Sequence, residues 1–176
     1  MEESEVLRFC HELSIIDSNQ FNIVFCDEVS FDNWGMLRKR GYSLRGTKLR
    51  IRGEFTRNPR ISLLCFIHIN GISEVYDTSG TFDRHTFIRY YKSFTSKCST
   101  YPGRRSIWIL DNASIHSLTN IVNFLRMIGI VPVFLPAYCP MYNPIEFVFA
   151  KIKRAFKRHY NESRNTDLLL SFSNWQ

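Results

Sequence analysis

Two apolar runs in this chain end in a carboxylate: residues 22–26 (NIVFC) lead into Asp27, and residues 106–110 (SIWIL) lead into Asp111. An acid at the end of a buried strand is costly unless something compensates it. A third acid, Glu146, falls in the first turn of the clearest helical pattern, where Asn143 can cap and Pro144 suits the first helical position. If the two strands are neighbours in a mixed sheet, Asp27 and Asp111 emerge at one rim and Glu146 completes a three-carboxylate cluster. Such a cluster cannot stay fully ionised without cations. Hard oxygen ligands with open positions suit magnesium or manganese. Two such ions about 3.5–4 Å apart would activate a water or a 3′-hydroxyl and stabilise the leaving oxygen in a phosphodiester displacement. Each acid also has a plainer reading. Asp27 could be a turn residue, Asp111-Asn112 the start of a capping loop, and Asn143 with Glu146 a capping box. Only their joint appearance argues for chemistry.

The elements that must carry these groups read as one α/β domain. After the strand at 22–26, stretches 33–40 and 47–55 suggest a hairpin around Gly41–Gly46. Residues 60–69 (RISLLCFIHI) are β-rich, Asn70-Gly71 is a hairpin signal, and 72–78 is the partner strand. Phe82, Phe87, Ile88, Tyr91 and Phe94 then recur at helical spacing behind Asp83, predicting a helix over 83–97. Strand 106–110, a helix over about 117–128 closed by Gly129, and strand 130–134 follow. In the last helix Ile145, Val148, Phe149, Ile152 and Phe156 share one face, while Glu146, Ala150, Lys153 and Lys157 form a stripe on another. An antiparallel meander followed by strand–helix alternation implies a mixed sheet of five strands flanked by helices.

Composition narrows the classes. The 176 residues are 44% hydrophobic and 22% charged, which fits one folded domain and excludes a disordered or fibrous chain. The net charge of +7 is uneven. Residues 1–32 hold eight acids against one arginine, so the other 144 residues carry 22 basic against 8 acidic side chains, a balance that suggests a polyanionic partner. Five scattered cysteines without a CxxC pair indicate neither a disulfide framework nor a zinc knuckle. The acidic start lacks a signal-peptide core and no window approaches the ~18 apolar residues of a membrane span. The expectation is an intracellular protein, neither secreted nor membrane-bound.

Three segments, FCDEVSF (25–31), WILDNASIH (108–116) and FLPAYCPMYNPIEFVFAKIKR (134–154), resemble the signature blocks of the catalytic domain of mariner-like DDE transposases. Asp111 and Glu146 are separated by 34 residues, a spacing typical of that branch, with glutamate in third place. The resemblance implies a ribonuclease H-like fold, with residues 1–20 a leader or linker remnant, 21–160 the catalytic domain and 161–176 a tail. It places the catalytic and metal-binding triad on Asp27, Asp111 and Glu146, with Asn112, His116 and Asn143 in supporting positions. His116 could orient a carboxylate or contact a phosphate, or be a surface residue. Cys139 stands where the family often has serine, and Phe149 where tryptophan is common. Mg2+ or Mn2+, two ions together, are the implied cofactors. Duplex DNA, as transposon ends and target, is the implied partner, with a homodimer of the chain. The nucleus would be its place in a eukaryote and the cytoplasm otherwise.

Between 38 and 60 lie nine basic residues against Glu54 alone. Arg38, Arg40, Arg45, Lys48, Arg50 and Arg52 are a candidate DNA track, with Trp34 and Tyr42 available for stacking; a charged hairpin is equally a solvated edge guarded against aggregation. Lys153 and Lys157 share the stripe of Glu146 and are candidate phosphate contacts. Only about 20 residues precede the first block, too few for the helix-turn-helix region usual in the family. The chain is therefore read as an excised domain, a truncated element or a domesticated descendant. Three functions compete: DNA cleavage and strand transfer, a silent nucleic-acid-binding remnant, and a nuclease acting on RNA–DNA hybrids. Intact acids favour the first over the second. The 34-residue gap and the Asn-Pro-x-Glu helix start argue against the third.

Overall fold

In the computed structural model of the chain, residues 3–32, 42–48, 60–111 and 119–162 are described, the last five by their backbone. Five strands form one sheet: β1 (Ile23–Phe31), β2 (Ile61–His68), β3 (Gly71–Ser79), β4 (Ile107–Leu110) and β5 (Val131–Phe134), in the order β3-β2-β1-β4-β5. β1 with β2 and β2 with β3 are antiparallel, whereas β1 with β4 and β4 with β5 are parallel. The mixed sheet expected from the order of elements is therefore present. Helices α1 (Glu3–Ser14), α2 (Arg84–Thr95), α3 (Thr119–Met127) and α4 (Ile145–Glu162) flank it. Among the described residues no helix is long and apolar enough to cross a membrane.

Local chemistry explains most boundaries. Gly71 opens β3 at φ +103°, a backbone that the Asn70-Gly71 hairpin requires and that side chains disfavour. Asp83 caps α2 by accepting from the Thr86 N–H at 2.7 Å. The hairpin expected at 33–40 and 47–55 lies for the most part outside the described residues. Its centre is an exposed turn closed by the Thr47 N–H donating to the Leu44 carbonyl at 2.9 Å.

One boundary differs from expectation in a way that matters. β1 does not stop at Cys26 but continues to Phe31, so Asp27 lies in mid-strand. By local pattern the strand ends at the first acid, because Asp27 and Glu28 break the apolar run. The structure continues it because antiparallel pairing with β2 runs on, from Phe25 opposite Ile67 to Phe31 opposite Ile61.

The two faces of the sheet carry separate cores. On one, α2 and α3 cover Val24, Cys26, Leu64, Phe66, Trp108 and Leu110. An aromatic cluster centres there, with Phe66 stacked on Phe94 at 4.0 Å and edge-on to Trp108 at 5.3 Å. On the other face α4 sets Ile145, Phe149 and Phe156 against Val29, Phe31 and Leu63. Beside it, α1 sets Phe9 against Ile107, Ile109 and Val133.

The helix α1 occupies the stretch expected as a leader. Arg8 bridges Glu5 at 3.0 Å and Glu12 at 2.9 Å, and also donates to the Phe134 carbonyl at the end of β5, at 3.1 Å. That last contact joins residues 126 apart and is invisible to local periodicity. Phe9 is 7% exposed and Leu7, on the outer face, 68% exposed. Phe9→Ala is therefore expected to cost about 3 kcal/mol of stability, and Leu7→Ala less than about 0.5 kcal/mol. Urea midpoints at unchanged slope check both values.

Candidate active site

Parallel pairing between β1 and β4 ends with Cys26 beside Leu110. The next residue on each strand is an aspartate, so Asp27 and Asp111 leave the last paired rung side by side. Beyond that rung, among the described residues, β1 pairs with β2 alone, and its other edge opens onto a cavity of about 580 Å³. Asp27, Asp111 and Glu146 all line this cavity, together with Asn143 and Lys153. Glu146 reaches it from the first turn of α4, whose apolar face is anchored on the sheet by Ile145 and Phe149.

Asp27 is the most enclosed of the three, at 8% exposure. Its Oδ1 accepts the Glu28 N–H at 2.7 Å and its Oδ2 accepts the Asn143 side-chain amide at 2.9 Å. Burial, and next the charge of Asp111, raise its pKa to about 7; Glu146 pushes the same way, while the two hydrogen bonds pull against it. Asn143 is itself 3% exposed. It does not form the capping box that its spacing from Glu146 permitted: its backbone N–H goes to the Pro140 carbonyl at 3.0 Å. Its side-chain oxygen accepts the Ile145 N–H at 3.4 Å, and its amide is spent on Asp27. Asn143 thus links the start of α4 to the carboxylate of β1.

The donor set is entirely hard oxygen, the chemistry of magnesium or manganese sites. Among the described residues no three carboxylate, cysteine or histidine side chains converge on one metal-binding point. What does fit a divalent cation is a buried carboxylate beside two further acids, with repulsion that a positive charge would relieve.

Residues 22–168 match the family model of the DDE superfamily endonucleases. The chain belongs to that family. Its fold is shared with the catalytic domain of Mos1 mariner transposase, at 16% identity and a TM-score of 0.61, covering 98% of this chain and 75% of that one. The Mos1 transposase paired-end complex with the left transposon end aligns at 17% identity and 0.61, over 88% of this chain and 47% of that one. The Mos1 mariner paired-end complex with Mn aligns at 16% and 0.61, over 87% and 47%. The chain spans about half the length of the transposase in those complexes. No curated protein matches it. At such identities the likeness is one of fold, and the ribonuclease H-like mixed sheet expected from the sequence is borne out.

Of the other residues singled out in this DDE-family chain, Lys153 lies on the cavity wall two turns along α4 from Glu146. Lys157 is exposed on the same helix and does not line the cavity. Arg45 and Lys48 lie on the exposed turn at 42–48 and do not line it either. Asn112, His116, Arg38, Arg40, Arg50, Arg52 and Trp34 fall outside the described residues. Among the lining residues that sequence reasoning did not single out are three with polar side chains, Glu28, Ser30 and Tyr138. Glu28 is half-buried and its pKa is raised by burial, against the Ser62 and Ser30 hydroxyls. Its position directly after Asp27 was the available signal. Tyr138 carried none, as one aromatic among many.

The shifted Asp27 carboxyl makes stability pH-dependent. Its folded pKa lies above the ordinary carboxylate range, so the folded chain holds a proton that the unfolded chain releases between about pH 4 and 7. Stability from this group is therefore greatest below that window and is lost as pH rises through it. Without divalent cations, Asp27→Asn is expected to match wild type near pH 4 and to exceed it near pH 8 by a few kcal/mol. Denaturant titrations at the two pH values, in chelator, measure the difference.

Proposed function

We propose that this chain is the catalytic part of a metal-dependent DNA endonuclease and strand transferase, cutting and joining phosphodiester bonds at transposon ends and target DNA. The observation that carries the reading is the single cavity lined by acids from β1, the end of β4 and the start of α4, with the charges of Asp111 and Glu146 felt by the buried Asp27. Membership of the DDE superfamily endonucleases and the fold shared with Mos1 transposase support it.

Asp27, Asp111 and Glu146 would hold Mg2+ or Mn2+, which when bound supplies the charge that activates a nucleophilic oxygen and stabilises the leaving one. The chain's own contribution is positional. Asn143 fixes Asp27 through Oδ2, and the Glu28 N–H fixes Oδ1, so the carboxylate cannot rotate freely when DNA arrives. Lys153 presents an ammonium at the cavity for a phosphate oxygen, a point charge suited to a non-bridging position. Hydrolysis and joining are both in-line displacements at phosphorus, so one cluster serves water first and a 3′-hydroxyl second.

A silent nucleic-acid-binding remnant is the second reading, favoured by the lack of a converged three-ligand group among the described residues. Metal titration separates the two. Manganese is expected to raise the melting temperature of wild type by mass action and to leave Asp111→Asn unmoved. On supercoiled plasmid with Mn2+, wild type is expected to nick, and Asp27→Ala, Asp111→Ala and Glu146→Ala each to lose nicking. A wild type that neither shifts nor nicks supports the remnant; nicking that survives all three substitutions removes the site assignment.

Binding is a separate expectation. Affinity for duplex DNA is expected to fall with salt by a logarithmic slope near −0.9 per phosphate contacted. Neutralising Arg50, Arg52, Lys153 and Lys157 together is expected to flatten that slope, as read by fluorescence anisotropy from low to moderate salt. Salt-independent binding would refute the phosphate-contact reading.

A further inference from the structure

Tyr138 sits on the wall of the carboxylate cavity with 96% of its surface exposed and its backbone at φ +59°. Both facts run against ordinary folding. A bulky side chain in the left-handed region is disfavoured, and here the ring buries almost nothing that would compensate. The loop nevertheless holds it outward. Leu135 and Pro136 are buried on one side and Cys139 on the other, so Ala137 and Tyr138 form a short protrusion between anchored ends. Pro136 and Pro140 remove freedom at both ends of that protrusion, and Pro140 opens the 3-10 turn Pro140–Tyr142 that leads to Asn143. The ring is thus displayed by a stiff segment joined to the residue that orients Asp27. Backbone strain next to reactive groups, without any packing benefit, points to a role in handling substrate.

We infer that Tyr138 is a substrate-positioning residue whose ring stacks on a nucleobase next to the phosphate held at the cavity. This deepens the proposed DNA chemistry and rests on it. The carboxylates leave no role for an anion at the ring itself, and the neutral group nearest a bound phosphate along a DNA strand is its own nucleoside. In an intact duplex both faces of each base are covered by neighbours, so the ring can reach only a base at an end or one unstacked at the cut. Such stacking is indifferent to sequence, since every base presents a π-face. The surface is therefore built for DNA ends, not for reading a site.

The test compares Tyr138→Gly, Tyr138→Phe and Tyr138→Trp, with Phe147→Ala as the control. Phe147 is also exposed, on α4, and does not line the cavity. Glycine removes the ring and also relieves the left-handed backbone, so Tyr138→Gly is expected to melt no lower than wild type. Its plasmid nicking with Mn2+ is expected to fall about tenfold, the loss of one stacked base at the low end of such contacts. Phenylalanine and tryptophan are expected to stay within about threefold of wild type, as is Phe147→Ala. A second readout needs no turnover: a duplex with a short 3′ overhang carrying 2-aminopurine is expected to be quenched by wild type, Tyr138→Phe and Tyr138→Trp, and markedly less by Tyr138→Gly. Equal quenching by wild type and Tyr138→Gly overturns the inference, as does a Tyr138→Phe loss as deep as that of glycine, or a melting temperature that falls with Tyr138→Gly. If wild type does not nick at all, the catalytic reading fails and the quenching comparison alone decides the stacking role.

Discussion

The parallel pairing of β1 with β4 ends one rung before two aspartates, and the rest of the site depends on that register. Cys26 beside Leu110 is the last pair, so Asp27 and Asp111 are set next to each other by backbone hydrogen bonding and not by any attraction between them. Two like charges in a partly dry setting repel, and the sheet holds them there because the strands behind are buried on both faces. A slip of one residue would turn Asp27 to the opposite face, into the aromatic core around Phe66 and Trp108. The packing of that core is therefore also what keeps the carboxylates aimed at the cavity.

Helix α4 answers the same constraint from the other side. Its apolar stripe docks Ile145, Phe149 and Phe156 on β1 and β2, which carries Glu146 to the cavity from one side of the same turn. Asn143 then joins helix and strand directly. Its side-chain oxygen accepts from the Ile145 N–H at the start of the helix while its amide NH2 donates to Asp27, so one side chain serves the helix end and one carboxylate oxygen together. Neutral partners of this kind orient an acid without cancelling its charge, which leaves the repulsion available to favour a cation.

The segment from Leu135 to Asn143 connects these two halves. It leaves β5 at the rim, passes through the left-handed Tyr138 and a 3-10 turn, and delivers Asn143 to Asp27. Irregular backbone there is supported by buried neighbours at both ends and by two prolines, so the loop is a positioned part of the site and not a slack connection. On the same face of the sheet as α4, α1 holds the end of β5 through Arg8 and Phe9, steadying the strand from which that loop departs.

Much of this was legible in the sequence because it is local. Alternation and apolar runs located four of the strands within a residue or two, Asp83 announced α2, and the stripe of Ile145, Phe149 and Phe156 announced the buried face of α4. The two aspartates were legible as well, since a carboxylate closing an apolar run is costly wherever it occurs, and Glu146 was legible from its place in the first turn of the last helix. What local pattern could not determine was decided by contacts between distant residues. The extension of β1 through Asp27 came from β2, and the docking of α1 from a carbonyl 126 residues away. The hold of Asn143 on Asp27 came from a partner 116 residues off, and the display of Tyr138 from anchors buried in the core. Periodicity records which side of an element is apolar, whereas register, reach and the outcome of competing hydrogen bonds exist only once the elements have packed.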